Sequence, residues 1–240
     1  MGTIYNPSIV RDGLVLHLDA ANVKSYPGTG TTWSDLSGNE YNATLLGQNP
    51  TPYISDGVAH LEYDTETYDT DGIGNDYIRI TNTAVAATDA PLTYSIWFNL
   101  KSSGRTSQHV WLMGPVGTSA TGTGLGLGIK STNQLWILVY NEAGSQTQLT
   151  SPTTLQLDQW YMATVVHDNS YVKMYLNGQY NTQVACSGFA PSSSDAFTIG
   201  LNRIYWHFGG YMSVIKVYSK ALSETEIQQN FNALKGRYGI

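Results

Sequence analysis

Charge is scarce in this sequence. Only 12% of its 240 residues are Asp, Glu, Lys or Arg, about half of the roughly 25% usual for a globular chain. No Lys/Arg-rich stripe occurs, so there is little counterion-release drive toward a phosphate backbone, and a nucleic-acid partner is excluded. Long apolar runs are missing as well. The longest, such as "LWILVY" at 135–140, fall far short of the roughly 20 residues of a membrane span, so no membrane partner is expected. The opening "MGTIYNPSIVRDG" has no basic region followed by an apolar core, so no secretory leader is expected. Cys186 is the sole cysteine, which excludes an internal disulfide framework and points to a small buried thiol. No Gly-x-Ser-x-Gly elbow and no His-Glu-x-x-His pair is found, which leaves neither a serine nucleophile nor a catalytic zinc to build on.

What the sequence does have is turn chemistry and period-two alternation. "GLVLHLDA", "DYIRI", "LTYSIWFNL", "QHVWLM", "GLGLGIK", "QLWILVY", "QWYMATVVH", "YVKMYLNG", "AFTIG" and "GYMSVIKVY" all read as strands. Turn signals separate them, notably Ser37-Gly38-Asn39, Asp168-Asn169-Ser170 and Asn177-Gly178. The expected fold class is all-β, a two-sheet antiparallel β-sandwich or jelly roll. No repeat or Pro/Ser linker divides the chain, so one domain over 1–240 is expected. A single helix is predicted at about 223–235: Ser223 and Glu226 form a capping box, Ile227, Phe231 and Leu234 recur at helical spacing, and Gly236 is the expected stop.

The stretches "DGLVLHLDAANVKSYPGTGTTWSDLSGNEYNATL", "NDYIRI", "YSIWFNL", "WYMATVVHDNSYVKMYLNGQ", "FTIG" and "GGYMSVIKVYSKALSETEIQQNFNALKGRYGI" together resemble the laminin-G-like branch of the concanavalin A-like lectin and glucanase superfamily. The closing "QNFNALKGRYGI" resembles the form of this domain found in structural proteins of tailed bacteriophages and related viruses. The resemblance implies a β-jelly-roll of two curved sheets, used for glycan binding, for protein adhesion and, in some branches, for glycoside hydrolysis. Fold alone does not choose among these uses.

The acidic stretch "LEYDTETYDTDG" at 61–72 bears on that choice. Glu62, Asp64, Glu66, Asp69, Asp71 and Asp76 account for the whole net charge of -6, since the other acids balance the 12 Lys and Arg. The resemblance implies that a hydrolytic member carries Glu-x-Asp-x-Glu along one strand, and Glu62, Asp64 and Glu66 have that spacing, which would point three carboxyls to one face. Thr65 between them is polar, however, and the run passes at once into "TYDTDGIGND", so a solvated loop is the expected reading. Calcium is the alternative, with Asp64, Asp69 and Asp71 as candidate oxygen ligands. A second calcium could sit near Asp35 and Asn39, residues that serve equally as turn formers.

"GTGLGLGIKST" has no Lys directly after Gly128 and is better read as a strand with Leu125, Leu127 and Ile129 inward. Gly124, Gly126 and Gly128 then floor the opposite face. If neighbouring strands present their aromatic residues to that side, Trp97, Asn99, His109, Trp111, Trp136 and Tyr140, with Trp206 at a loop tip, would form a carbohydrate-binding platform. The competing reading is that the tryptophan rings fold over the glycines and fill the space. Trp33 and Trp160 read as structural anchors. The expectation is therefore a non-catalytic, lectin-like protein of a virus particle, made in the host cytoplasm, whose partners are other virion proteins or sister copies and cell-surface glycans. A purely structural decoration or fibre role is the alternative.

Overall fold

The computed structural model describes residues 8–47, 53–61, 77–86, 91–101, 109–115, 124–140, 145–187, 196–202 and 206–240. In chain order the elements are β1 (Leu14–Asp19), β2 (Thr32–Trp33), β3 (Ala43–Leu46), β4 (Tyr53–Ser55), β5 (Val58–Leu61), β6 (Tyr77–Ile80), the short helix α1 (Thr83–Ala86), β7 (Leu92–Leu100), β8 (Val110–Pro115) and β9 (Gly124–Ile129). There follow β10 (Gln134–Tyr140), β11 (Gln146–Thr154), β12 (Trp160–His167), β13 (Tyr171–Leu176), β14 (Gln179–Ala185), β15 (Phe197–Ile199), β16 (Leu201–Asn202), β17 (Trp206–His207), β18 (Gly210–Tyr218) and α2 (Glu224–Leu234). Among the described residues no helix is long and apolar enough to cross a membrane.

Two antiparallel sheets make the sandwich. The first runs β14-β13-β12-β7-β18-β5-β4, with β1 also paired to β18; the second runs β11-β10-β9-β8-β15-β6-β3-β2. Alternation decides which side chains fill the space between them. On β7, Tyr94, Ile96 and Phe98 point inward, and on β9 so do Leu125, Leu127 and Ile129, all within one core. Asn177 and Gly178, both at positive φ, form the tight turn that joins β13 to β14. Cys186 is a buried free thiol, and burial pushes its pKa up.

A second apolar layer lies outside the first sheet. Ser223 caps α2 and Glu226 closes the capping box, while Lys220 ties Glu226 to Asp12. The helix lays Ile227 against Trp97, Met162, Val214 and Tyr218. Asn230 is buried with them: its amide carbonyl accepts from Val10 N at 2.9 Å and its amide N–H donates to the Tyr218 hydroxyl at 3.1 Å. The helix ends at Leu234, just before the expected stop at Gly236. The chain then tightens into a 3-10 turn over Lys235–Tyr238, ended by Gly239 at φ 72, and this extra turn delivers Tyr238 to the sheet.

Candidate functional site

The glycine-bearing face is the outer face of the second sheet, and two tryptophans close over it. A Cβ on Gly126 would lie 1.8 Å from the Trp111 ring, and one on Gly128 would lie 3.4 Å from Trp136. Trp111 is 2% exposed and Trp136 4%. His109 meets Trp136 edge-on at 5.3 Å. What this face offers outward is polar: Trp136 Nε1 donates to Gln148 at 3.3 Å, Gln148 to Gln146 at 2.8 Å, and Gln146 to the Tyr140 hydroxyl at 3.0 Å. The rings fill the gap left by the glycines, and the amides line its rim.

Trp97 and Asn99 do not join this face. Both point outward from β7 in the first sheet, so the expected grouping of Trp97 with Trp111 and Trp136 is corrected by the strand pairing. Trp97 is fully buried beneath the C-terminal elements, its ring 5.6 Å from Phe231 and 4.1 Å from Tyr238 in stacked geometry. It anchors the helix and has no surface to offer a ligand. Trp206 lies in β17, paired with Asn202, and its side chain falls outside the described residues. Asp64, Asp69 and Asp71, with Glu62 and Glu66, also lie outside them.

Asn99 occupies a different setting. Its neighbours in register are Trp160 on β12 and Tyr211 on β18. Their rings lean together above the sheet, 6.4 Å apart and within 29° of parallel, and Tyr238 continues the surface 4.7 Å from Trp160. All three rings are half-buried. Beside them Lys101 Nζ sits 5.0 Å from the Tyr211 ring centroid and 2.9 Å from Asp158. The hydrogen bond to that carboxylate holds the Lys101 ammonium above its usual pKa. Beneath the rings the Asn99 side-chain oxygen is buried and, among the described residues, meets no donor. Three adjoining aromatic surfaces with a charged hydrogen-bonding pair at the edge suit a ligand with C–H faces and hydroxyls.

Sequence reasoning missed Trp160, Tyr211 and Tyr238 as partners of Asn99. Trp160 read as a framework anchor, and the signal that would have found it is the register, which places it opposite Asn99 only once β12, β7 and β18 are paired. Near Asp35 the turn-forming role is the one displayed: its carboxylate accepts from His17 N, Ser37 N, the Ser37 hydroxyl and Tyr41 N.

Residues 71–228 match the family Laminin_G_3, described as the concanavalin A-like lectin/glucanases superfamily. No curated protein matches the sequence. The fold is similar to the binding domain of botulinum neurotoxin DC solved in complex with SialylT, at 19% identity and TM-score 0.66, over 93% of this chain and 52% of that one. The same binding domain in complex with rat synaptotagmin II gives 16% identity and TM-score 0.67, over 94% and 52%. Domain 4 of AbnA, a GH43 extracellular arabinanase from Geobacillus stearothermophilus, in complex with arabinotriose, gives 18% identity and TM-score 0.63 over 90% of this chain and 97% of that one. The chain thus spans about half the length of the neurotoxin binding domains and nearly all of the arabinanase domain.

Proposed function

Because this chain belongs to the concanavalin A-like lectin/glucanases superfamily, we propose that it is a non-catalytic glycan-binding module acting in adhesion. The observation that carries this reading is the half-buried aromatic surface of Trp160, Tyr211 and Tyr238 with the Lys101–Asp158 pair at its edge. Flat rings lie against the C–H faces of sugars, and the charged pair donates and accepts toward their hydroxyls. The likeness to an arabinanase domain in complex with arabinotriose, over nearly that domain's whole length, supports the same reading. The resemblance of "QNFNALKGRYGI" to structural proteins of tailed phages supports a place on the surface of a virus particle, assembled in the host cytoplasm beside other virion proteins and sister copies. Calcium held by Asp64, Asp69 and Asp71 belongs to the proposal as a cofactor.

A second reading is a decoration or fibre role through protein contacts alone. It is favoured by the position of Tyr171 and Tyr180, 41% and 49% exposed toward the two ends of the β13–β14 hairpin, a sheet edge on which a partner could pair.

The test is a glycan array that includes arabino-oligosaccharides, read with calcium and with a chelator. Any hit is then titrated against Trp160→Ala and Tyr211→Ala. Each variant is expected to weaken binding at least about tenfold, or about 1.4 kcal/mol, with the fold retained because both rings are only half-buried. A silent array would move the weight to the second reading. Release of reducing sugar that Glu62→Gln abolishes would overturn the non-catalytic part, and binding unchanged by a chelator would remove calcium.

A further inference from the structure

A cavity of about 430 Å³ opens on the outer face of the first sheet, beside the C-terminal end of α2 and on the other side of that helix's footprint from β12 and β13. This volume lies within the roughly 300–1,000 Å³ of small-ligand sites. Its walls come from four places in the chain: the segment before β1, the outward face of β1, the loop after it, and the Leu36–Ser37 turn, with Leu234 of α2 closing the top.

Its charges do not cancel. Arg11 and Lys24 both line the wall, both are exposed, and among the described residues neither meets a carboxylate. The one lining carboxylate, Asp19, is already held by Arg237 through two hydrogen bonds of 2.7 and 3.1 Å and also accepts from Ala21 N. Asp35, next to the wall, spends its oxygens on its own turn. Next to His17 in register on β18, the Lys216 side chain is fully buried and its ammonium nitrogen meets no hydrogen-bond partner among the described residues. In a protein of net charge -6 Arg11 and Lys24 make this a locally positive pocket, and two cations without a carboxylate partner suit an anion.

The neutral groups narrow the anion further. Asn22 uses its side-chain carbonyl on Lys24 N at 3.0 Å and keeps its amide N–H groups. His17 lines the wall with its imidazole; burial first, and Lys216 next, lower its pKa to about 4, so near neutral pH it offers one donor and one acceptor, the pattern of a hydroxyl's needs. Leu14, Leu36 and Leu234 supply apolar wall between these groups. A bare inorganic ion would use the cations and waste the rest.

We propose that this cavity binds a carboxylated sugar unit, with Arg11 and Lys24 on the carboxylate, His17 and Asn22 on the hydroxyls and the leucines against the ring. The site is separate from the Trp160–Tyr211 surface, so each can fail without the other. Calorimetric titration of the full chain at low salt with D-glucuronate, against D-glucose as the uncharged counterpart, tests it. Glucuronate is expected to bind at least ten times more tightly than glucose, and to weaken as salt is added. Arg11→Gln, and independently Lys24→Gln, are expected to weaken it about tenfold. A methyl glucuronide binding within a few-fold of the free acid assigns the site to chain ends; loss of binding on adding the methyl group assigns it to the free sugar acid. Equal binding of glucose and glucuronate, wild-type binding by both variants, or sulfate binding as tightly as glucuronate would overturn the proposal.

Discussion

Lys216→Met is expected to make the protein more stable, by an amount that depends on pH. Lys216 stands in a buried row across the first sheet, between His17 on β1 and Ser95 on β7, and it is completely buried. The nearest opposing charge, Asp19, is engaged with Arg237, so the ammonium has little to offset its lost hydration. Burial, opposed by Asp19 and reinforced by Arg237, lowers its pKa from 10.5 to about 7. Between those two values the unfolded chain binds more protons than the folded one, so stability rises with pH across that window. The penalty is fully present below about pH 7 and relieved as pH climbs toward the unfolded value. Met keeps the length of the side chain without the charge, so the gain at pH 6 should be on the order of 4 kcal/mol, or about 10 °C in Tm for a chain of this size. At pH 9 a little over half of the difference should have gone, leaving about 2 kcal/mol. Thermal unfolding of both proteins at the two pH values measures it, and a Tm gap that is absent, or the same at both, would sink the argument.

Lys216 also illustrates what the sequence could and could not disclose. "GYMSVIKVY" reads as a strand, and alternation correctly sends Ile215 and Val217 inward. A lysine on the other face then reads as solvated, because nothing local announces that distant parts of the chain will bury it. The helix itself was legible, from Ser223 and Glu226 through Ile227, Phe231 and Leu234, since capping and helical spacing are properties of neighbouring residues. Where it docks was not, since docking depends on Asn230 meeting Val10 and Tyr218 far along the chain. The edge strands β11 and β14 are illegible in the sequence for a related reason. "QTQLTSPTT" and "QYNTQVA" are largely exposed, so they lack the apolar alternation that betrays a strand with one face buried.

The candidate site failed in the same place. Leu125, Leu127 and Ile129 point inward as their alternation predicts, and the glycines face outward, but which aromatic residues stand beside them depends on sheet membership. Trp111 and Trp136 belong to that sheet; Trp97 and Asn99 do not. One residue of the expected platform, Asn99, survives as the floor of another, between two rings that only the register brings to it.

Trp97→Ala separates the two platforms experimentally. Trp97 has no exposed surface, stacks on Phe231 of α2 at 6° and on Tyr238 at 20°, and packs in the layer that holds the helix to the sheet. Truncating a buried tryptophan costs about 3–5 kcal/mol through lost transfer energy and the cavity left behind, which for a chain of this length is a fall of about 12 °C in Tm. The Asn230 contacts and the Ser223–Glu226 cap remain, so the helix should stay formed but open more readily, giving faster amide exchange across 224–234 with native-like circular dichroism. Trp97→Phe should recover most of the loss by restoring a ring for Tyr238 to stack on. Glycan affinity should change far less than for Trp160→Ala, whose larger effect is on binding and whose smaller effect is on Tm. The opposite ranking, a Trp97→Ala protein that keeps its Tm and loses its sugar, would return Trp97 to the ligand and remove it from the core.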